Sequence, residues 1–206
     1  MKWFVIIFFI LLAQNLLAQD VNQLISKGNK EYTAGKFDEA LKLYGKAISK
    51  EPGNNKASYN LANTLYKIKE YEASTEAFQK LAEMTKMPAL LQHSLYNKGV
   101  VLTRSNKLEE SIDAYKKAVL LDPRDADARH NLQKALLELK KKQPPQKPKE
   151  NNQQQKKDQK PKQQQSKLNK KQVENLLKAL EQKEQDVQKR ATQNRSRASS
   201  QPEKDW

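Results

Sequence analysis

The chain has 206 residues, 36% hydrophobic and 31% charged, with a formal net charge of +15 and no cysteine. That much apolar surface buries one modest core, so one folded domain with polar extensions is the expectation. The missing cysteine excludes disulfides, thiolate metal sites, cysteine nucleophiles and a lipidated N-terminal cysteine together.

The chain opens on Met1-Lys2, continues as an apolar run from Trp3 to Leu12, and then reads Ala13-Gln14-Asn15-Leu16-Leu17-Ala18. A basic start, a short apolar stretch and a small residue have the layout of a secretory signal. A helix needs about 20 apolar residues to span a bilayer, and this run breaks at Gln14 and Asn15. Removal after Ala18, leaving residues 1–18 as a signal peptide, is therefore expected. Leu16 is bulkier than the residue usual before such a cut, which keeps an uncleaved anchor as the alternative. Export follows, most simply to a bacterial periplasm.

Three related stretches come next, at residues 21–54, 55–88 and 92–125, with a period of about 34 residues and a short insertion near 84–91. Each predicts two helices. Small residues recur in the first helix at Gly28, Ala62 and Gly99, and in the second at Ala40, Ser74 and Ser111. Such positions let two helices cross closely, with Tyr44, Phe78 and Tyr115 filling the space beside the crossing. Pro52 and Pro123 end the second helices of the first and third stretches. In the second stretch Lys86 stands at that offset, followed by Met87-Pro88, so its second helix is expected to run longer or to end irregularly. Beyond Pro123, Asp125 is placed to cap a further helix over 126–142, whose Leu132, Ala135, Leu136 and Leu139 form one stripe. Gln133 replaces the small crossing residue, so this helix reads as the terminal cap that a stacked array requires.

The stretch Gly28-Asn-Lys-Glu-Tyr32, Gly35-Lys-Phe-Asp-Glu-Ala40, Tyr44-Gly-Lys-Ala47 and Pro52 resembles the tetratricopeptide repeat, and the resemblance covers residues 21–125. It implies an all-α fold: a right-handed superhelix of three helix pairs plus a capping helix, the whole making up residues 21–142. It also implies that partners lie in a groove lined by the first helix of each pair. The matching positions here are Asn29, Tyr32, Tyr59, Asn60, Asn63, Tyr66, Tyr96, Asn97, Thr103, His130, Asn131 and Lys134. Asn60, Asn97 and Asn131 share one offset in successive units. An amide offers both a donor and an acceptor, which suits a peptide backbone, and the tyrosine rings add apolar contact. The alternative is that these side chains serve helix packing or solvation. Some members of the family grip a C-terminal carboxylate with basic residues. In this chain Ile25 stands where the first lysine of that clamp belongs, Asn29 and Asn60 match its amides, and Lys98 is adjacent to its last basic offset, so the clamp is incomplete.

Residues 20–142 carry 22 basic and 16 acidic side chains, whereas residues 143–206 carry 16 and 8. From Gln143 to Lys167 the sequence is glutamine, lysine, proline and asparagine with almost nothing apolar, which predicts a disordered spacer. A short amphipathic helix is expected over 168–190, with Val173, Leu176, Leu177, Leu180 and Val187 at helical spacing. Its stripe is short enough to be marginal alone, so docking is expected, either on a partner helix or back onto the array. Residues 191–206 read as a further disordered tail ending on Trp206, a large apolar group in a polar context. The exported array, the Gln/Lys-rich spacer, Leu176 to Gln182 and the terminal Trp206 together resemble the BatC-type tetratricopeptide proteins of the Bacteroides aerotolerance cluster. This second resemblance implies an envelope or inner-membrane complex with proteins carrying von Willebrand A domains, and a docking role for residues 173–187 and Trp206.

An enzyme needs a nucleophile with its base, a metal cluster or a phosphate cradle, and the sequence offers none. His93 and His130 are its only histidines, and its five glycines form no phosphate-binding loop. No cofactor and no metal are expected. Nucleic acid is not expected as a partner, because acids interrupt the basic tail and no aromatics interleave with its lysines. Peripheral contact of the tail with an anionic membrane is the alternative function. The oligomeric state is not legible.

Overall fold

A computed structural model of the chain describes residues 20–142 and 170–199. The apolar run at 3–12, the spacer at 143–167 and Trp206 lie outside these residues. Every regular element among them is a helix: α1 over residues 20–33, α2 Phe37–Lys50, α3 Asn55–Lys67, α4 Tyr71–Met84, α5 Pro88–Arg104, α6 Leu108–Leu121, α7 Ala126–Lys142 and α8 Lys170–Ser199. No described helix is long and apolar enough to cross a membrane. The chain forms two compact units, one ending at Asp122 and one beginning at Pro123.

In the first unit the repeat is visible in the backbone itself. Gly35, Lys69 and Asn106, at the tips of the three helix pairs, have φ of +77°, +66° and +62°. The amide after each reaches back five residues: Lys36 to the Glu31 carbonyl at 2.9 Å, Glu70 to Leu65 at 2.9 Å and Lys107 to Leu102 at 2.8 Å. This is the left-handed closure that satisfies orphan carbonyls at a helix end. Between the first two pairs, Asn54 caps α3 by accepting from the Ala57 amide at 2.9 Å. The insertion near 84–91 does not lengthen α4. Instead α4 stops at Met84 before an extended Thr85, and Pro88 becomes the first residue of α5, where its missing N–H costs nothing. The extra residues therefore extend the first helix of the third pair to 17 residues, while α4 keeps the 14 of its counterparts.

Successive helices pack in chain order from α2 to α6. One apolar cluster joins Val21 and Ile25 of α1 to Ala40, Tyr44 and Ala47 of α2 and Ala57 of α3. A second joins Ala62 of α3 to Phe78 of α4 and Val101 of α5. Each pair thus shares its core with the first helix of the next, the arrangement that makes a repeat array cooperative. The small positions are fully enclosed: Ala40, Ala62, Ser74 and Ser111 have no exposed surface. The buried serines are satisfied within the packing, Ser74 by the Ala62 carbonyl and Ser111 by the Leu108 carbonyl, both at 2.8 Å.

The second unit contains α7 and α8. Asp125 caps α7 by accepting from the Ala128 amide at 3.0 Å, and α7 buries Ala128, Leu132, Ala135, Leu136 and Leu139. This helix, read from sequence as the cap of the array, belongs to one compact unit with α8. The start of α8 packs on it, with Val173, Leu177 and Leu180 buried and Lys140 Nζ 3.2 Å from Glu174 Oε1. Helical spacing predicts an end near 190, but α8 continues to Ser199. Ala191, Gln193 and Arg195 are good helix formers and neither glycine nor proline intervenes, so propensity carries the helix past its apolar stripe.

A methyl carbon on Gly28 would lie 2.6 Å from Tyr44 Cε1, whereas one on Gly45, inside α2, would meet nothing within 4 Å. Gly28→Ala is therefore expected to destabilise the array by about 1–3 kcal/mol. Gly45→Ala should stabilise it by roughly 0.5–1 kcal/mol. Urea midpoints of the two variants against the parent chain check both signs.

Candidate peptide-binding groove

The first helices α1, α3 and α5 carry the polar and aromatic positions that the sequence singled out, and the packing links them in pairs. Asn29 Oδ1 accepts twice, from the Tyr44 hydroxyl at 2.7 Å and from Asn60 Nδ2 at 2.8 Å. Asn97 Nδ2 donates to the Tyr59 hydroxyl at 2.8 Å, and the Tyr59 ring stands edge-on to Phe78 at 5.9 Å. Asn63 Nδ2 returns to the Tyr59 carbonyl in its own helix at 3.0 Å. The asparagines therefore serve packing with part of their capacity and keep the rest. Half of each Asn60 and Asn97 amide is committed to a neighbouring helix, and neither oxygen has a donor among the described residues.

Asn29, Tyr32, Thr33, Tyr44, Asn60 and Asn63 line one cleft of about 320 Å³. Tyr32 stands edge-on to Phe37 at 5.4 Å, which fixes the rim. Tyr44 forms the floor with 1% of its surface exposed. Burial holds its hydroxyl above the ordinary tyrosine value, Tyr32 adds to that, and a hydrogen bond from Asn60 opposes it. The hydroxyl is thus a neutral donor at physiological pH. Sequence reasoning assigned Tyr44 to space filling and missed this polar role. The available signal was a tyrosine at 44 where Phe78 occupies the same offset one repeat later.

The remaining positions are less convergent. Tyr66 tilts against Tyr71 at 6.0 Å and Tyr96 against Tyr115 at 6.0 Å, so both rings are engaged with second helices. The Thr103 hydroxyl donates to the Gly99 carbonyl at 2.9 Å and lies 3.3 Å from the Tyr115 hydroxyl. His130, Asn131 and Lys134 belong to α7 in the second unit, His130 and Lys134 exposed and Asn131 partly buried. In α8, Val173, Leu177 and Leu180 are buried, while Leu176 and Val187 stay half-exposed. No group of three or more metal-ligating side chains occurs among the described residues.

The two positions adjacent to a basic clamp are occupied otherwise. Ile25 is 6% exposed within the first apolar cluster. Lys98 turns to α4, donating to Gln79 Oε1 at 2.5 Å, and Gln79 in turn donates to Glu83. Burial pushes the Lys98 amine below its ordinary value, and Lys117 nearby pushes it the same way.

Comparison with known proteins agrees with this geometry. Residues 31–95 match the family described as tetratricopeptide repeat, and residues 99–140 match a second description of the same repeat. Human RNA polymerase II-associated protein 3 is 30% identical over 111 residues, covering 54% of this chain and 16% of that protein. The Hsp70-Hsp90 organising protein of Plasmodium falciparum is 31% identical over 119 residues, covering 56% and 20%. The chain thus spans a fifth or less of the length of these relatives. Among solved structures, the first repeat domain of Spaghetti (RPAP3) bound to the HSP90 peptide SRMEEVD superposes with a TM-score of 0.54 at 25% identity. That match covers 59% of this chain and 94% of the other.

Burial pushes the Tyr115 hydroxyl up to about 12, with the Thr103 hydrogen bond opposing. The unfolded chain loses that proton near 10 while the folded chain keeps it, so the unfolded state binds fewer protons between those values and stability falls as pH rises through the interval. The expected loss is about 2–3 kcal/mol. Urea denaturation at about pH 9 and about pH 11.5 should show it in the parent chain and a smaller change in Tyr115→Phe.

Proposed function

Because the chain belongs to the tetratricopeptide-repeat family, we propose that it is an exported scaffold holding an extended segment of a protein partner along α1, α3 and α5. The observation that carries this reading is the row of half-committed amides. Asn29, Asn60 and Asn97 are fixed by neighbouring helices yet retain donor and acceptor capacity, which is what a peptide backbone requires. The peptide-bound relative supports a peptide as the kind of ligand, since that protein is bound to SRMEEVD on the same fold. An acidic C-terminus is not the ligand proposed here, because Ile25 is a core residue and Lys98 is bound to Gln79.

Export and an envelope partner rest on the sequence: the basic start with its apolar run at 3–12, and the tail whose composition resembles the BatC-type proteins. The finer proposal is assembly with membrane-bound von Willebrand A domain proteins in aerotolerance or stress tolerance. In this reading the chain acts by holding, as a repeat scaffold.

The test is cross-linking and pull-down from an envelope fraction with the full chain, a chain ending at Lys142, and Asn60→Ala/Asn97→Ala. Partners lost only on truncation belong to the tail. Loss of about tenfold or more in the double variant, with the helical signal intact, assigns them to the groove. Undiminished capture by the double variant would sink the groove reading.

A further inference from the structure

Burial in α8 stops early. Val173, Leu177 and Leu180 are buried, but from Glu181 to Gln193 only Val187 is even partly covered. The contact with α7 therefore takes up about two turns of a 30-residue helix. It is closed by the pair Lys140 and Glu174, whose side chains are 38% and 48% exposed. An ion pair so exposed adds little, and the rest of α8 gains nothing from packing to offset the cost of forming a helix. α7 does not share this weakness. Asp125 caps it, Arg129 Nη1 donates to the Pro123 carbonyl at 2.6 Å, and Leu132, Leu136 and Leu139 are buried along it. Nor does connectivity hold α8 down. Adjacent helices usually join through about 2–8 residues, whereas residues 143–169 separate α7 from α8 although Lys140 meets Glu174.

We infer that α7 carries a second interaction surface, a helix-accepting face that α8 occupies within the chain and that an amphipathic helix of a protein partner enters by displacing α8. The resident helix shows what the face accepts. Aliphatic residues stand at i, i+4 and i+7, as in Val173, Leu177 and Leu180, with an acid at i+1 for Lys140, as in Glu174. Covalent attachment raises the local concentration of α8 over that of an identical free helix. A second copy of this chain therefore brings nothing that the resident lacks, which makes the occupant a foreign helix. Such a helix wins where its apolar series runs on beyond the third residue, the point at which α8 turns to the exposed stretch from Glu181 to Asp186. This face shares no residue with the groove at Asn29, Asn60 and Asn97.

The test follows uptake of a fluorescent peptide of residues 170–199 by the full chain, read as anisotropy. Leu177→Asp in the chain lifts α8 from α7, and this variant should bind the peptide at least about tenfold tighter than the parent, where the resident helix competes. Lys140→Glu added to the variant should weaken uptake by roughly threefold, and a peptide carrying Glu174→Lys should recover the loss. In the parent chain, amides of residues 177–180 should exchange with deuterium at least about tenfold faster than those of residues 132–139, a measurement that needs no variant to fold. Equal uptake by parent and variant, no uptake by a folded variant, or equal protection of the two helices overturns the inference. A concentration-dependent dimer of the parent that Leu177→Asp abolishes makes a second copy the occupant and overturns the foreign helix. Asn60→Ala/Asn97→Ala should leave peptide uptake unchanged, so failure here and failure of the groove reading are told apart.

Discussion

The array depends on a hydrogen atom at residues 28 and 99. Without a side chain there, Tyr44 and Tyr115 lie flat against the first helix of their pair, within the space a methyl group would need. That close approach buries both rings and brings the Tyr44 hydroxyl up to Asn29 on the far side of the crossing. The contact that fixes how two helices cross therefore also orients the groups that face the groove. The middle pair buries Ala62 with Phe78, a ring without a hydroxyl to orient, and there the Tyr59 hydroxyl takes the bond from Asn97.

The groove-facing positions and the packing consequently share side chains. Asn29, Asn60 and Asn97 would be soft, solvated amides on an isolated helix. In the array each is held by a neighbour through one end of its amide, which removes rotamer freedom before a ligand arrives. Such preorganisation lowers the entropy that ordering these amides would cost. The same economy explains why the lysine at 98 contributes nothing to the groove: its ammonium is already bridged through Gln79 towards Glu83 on α4.

Much of the fold was legible in the residues, and the parts that were not have physical reasons. Recurrence of Gly28, Ala62 and Gly99 with Tyr44, Phe78 and Tyr115 is a packing rule written in side-chain volume, so sequence displays it directly. The effect of the insertion near 84–91 was left open between a longer α4 and an irregular end because Lys86 removed the stop signal from α4, while the start signal, Pro88 in the first turn of α5, decided the outcome. The extent of α8 was underestimated because apolar periodicity ends at Val187, whereas helix continuation needs only good formers. The groove positions were identifiable by offset, but their pairing was not. Whether Asn60 meets Asn29 or solvent depends on the distance between adjacent helices, a quantity that no single repeat encodes.

The tips of the three pairs are closed by the same bonds but not at the same cost. Gly35 adopts the left-handed conformation freely and Asn106 tolerates it, but Lys69 carries a side chain that disfavours it by about 1 kcal/mol. In a linear stack, where each unit touches only its neighbours, such a deficit is not shared out along the chain. The tip of the middle pair is thus the clasp whose backbone conformation is the most costly of those bearing side chains, and it lies between the Asn29 cleft in one pair and the Tyr115 ring in the other.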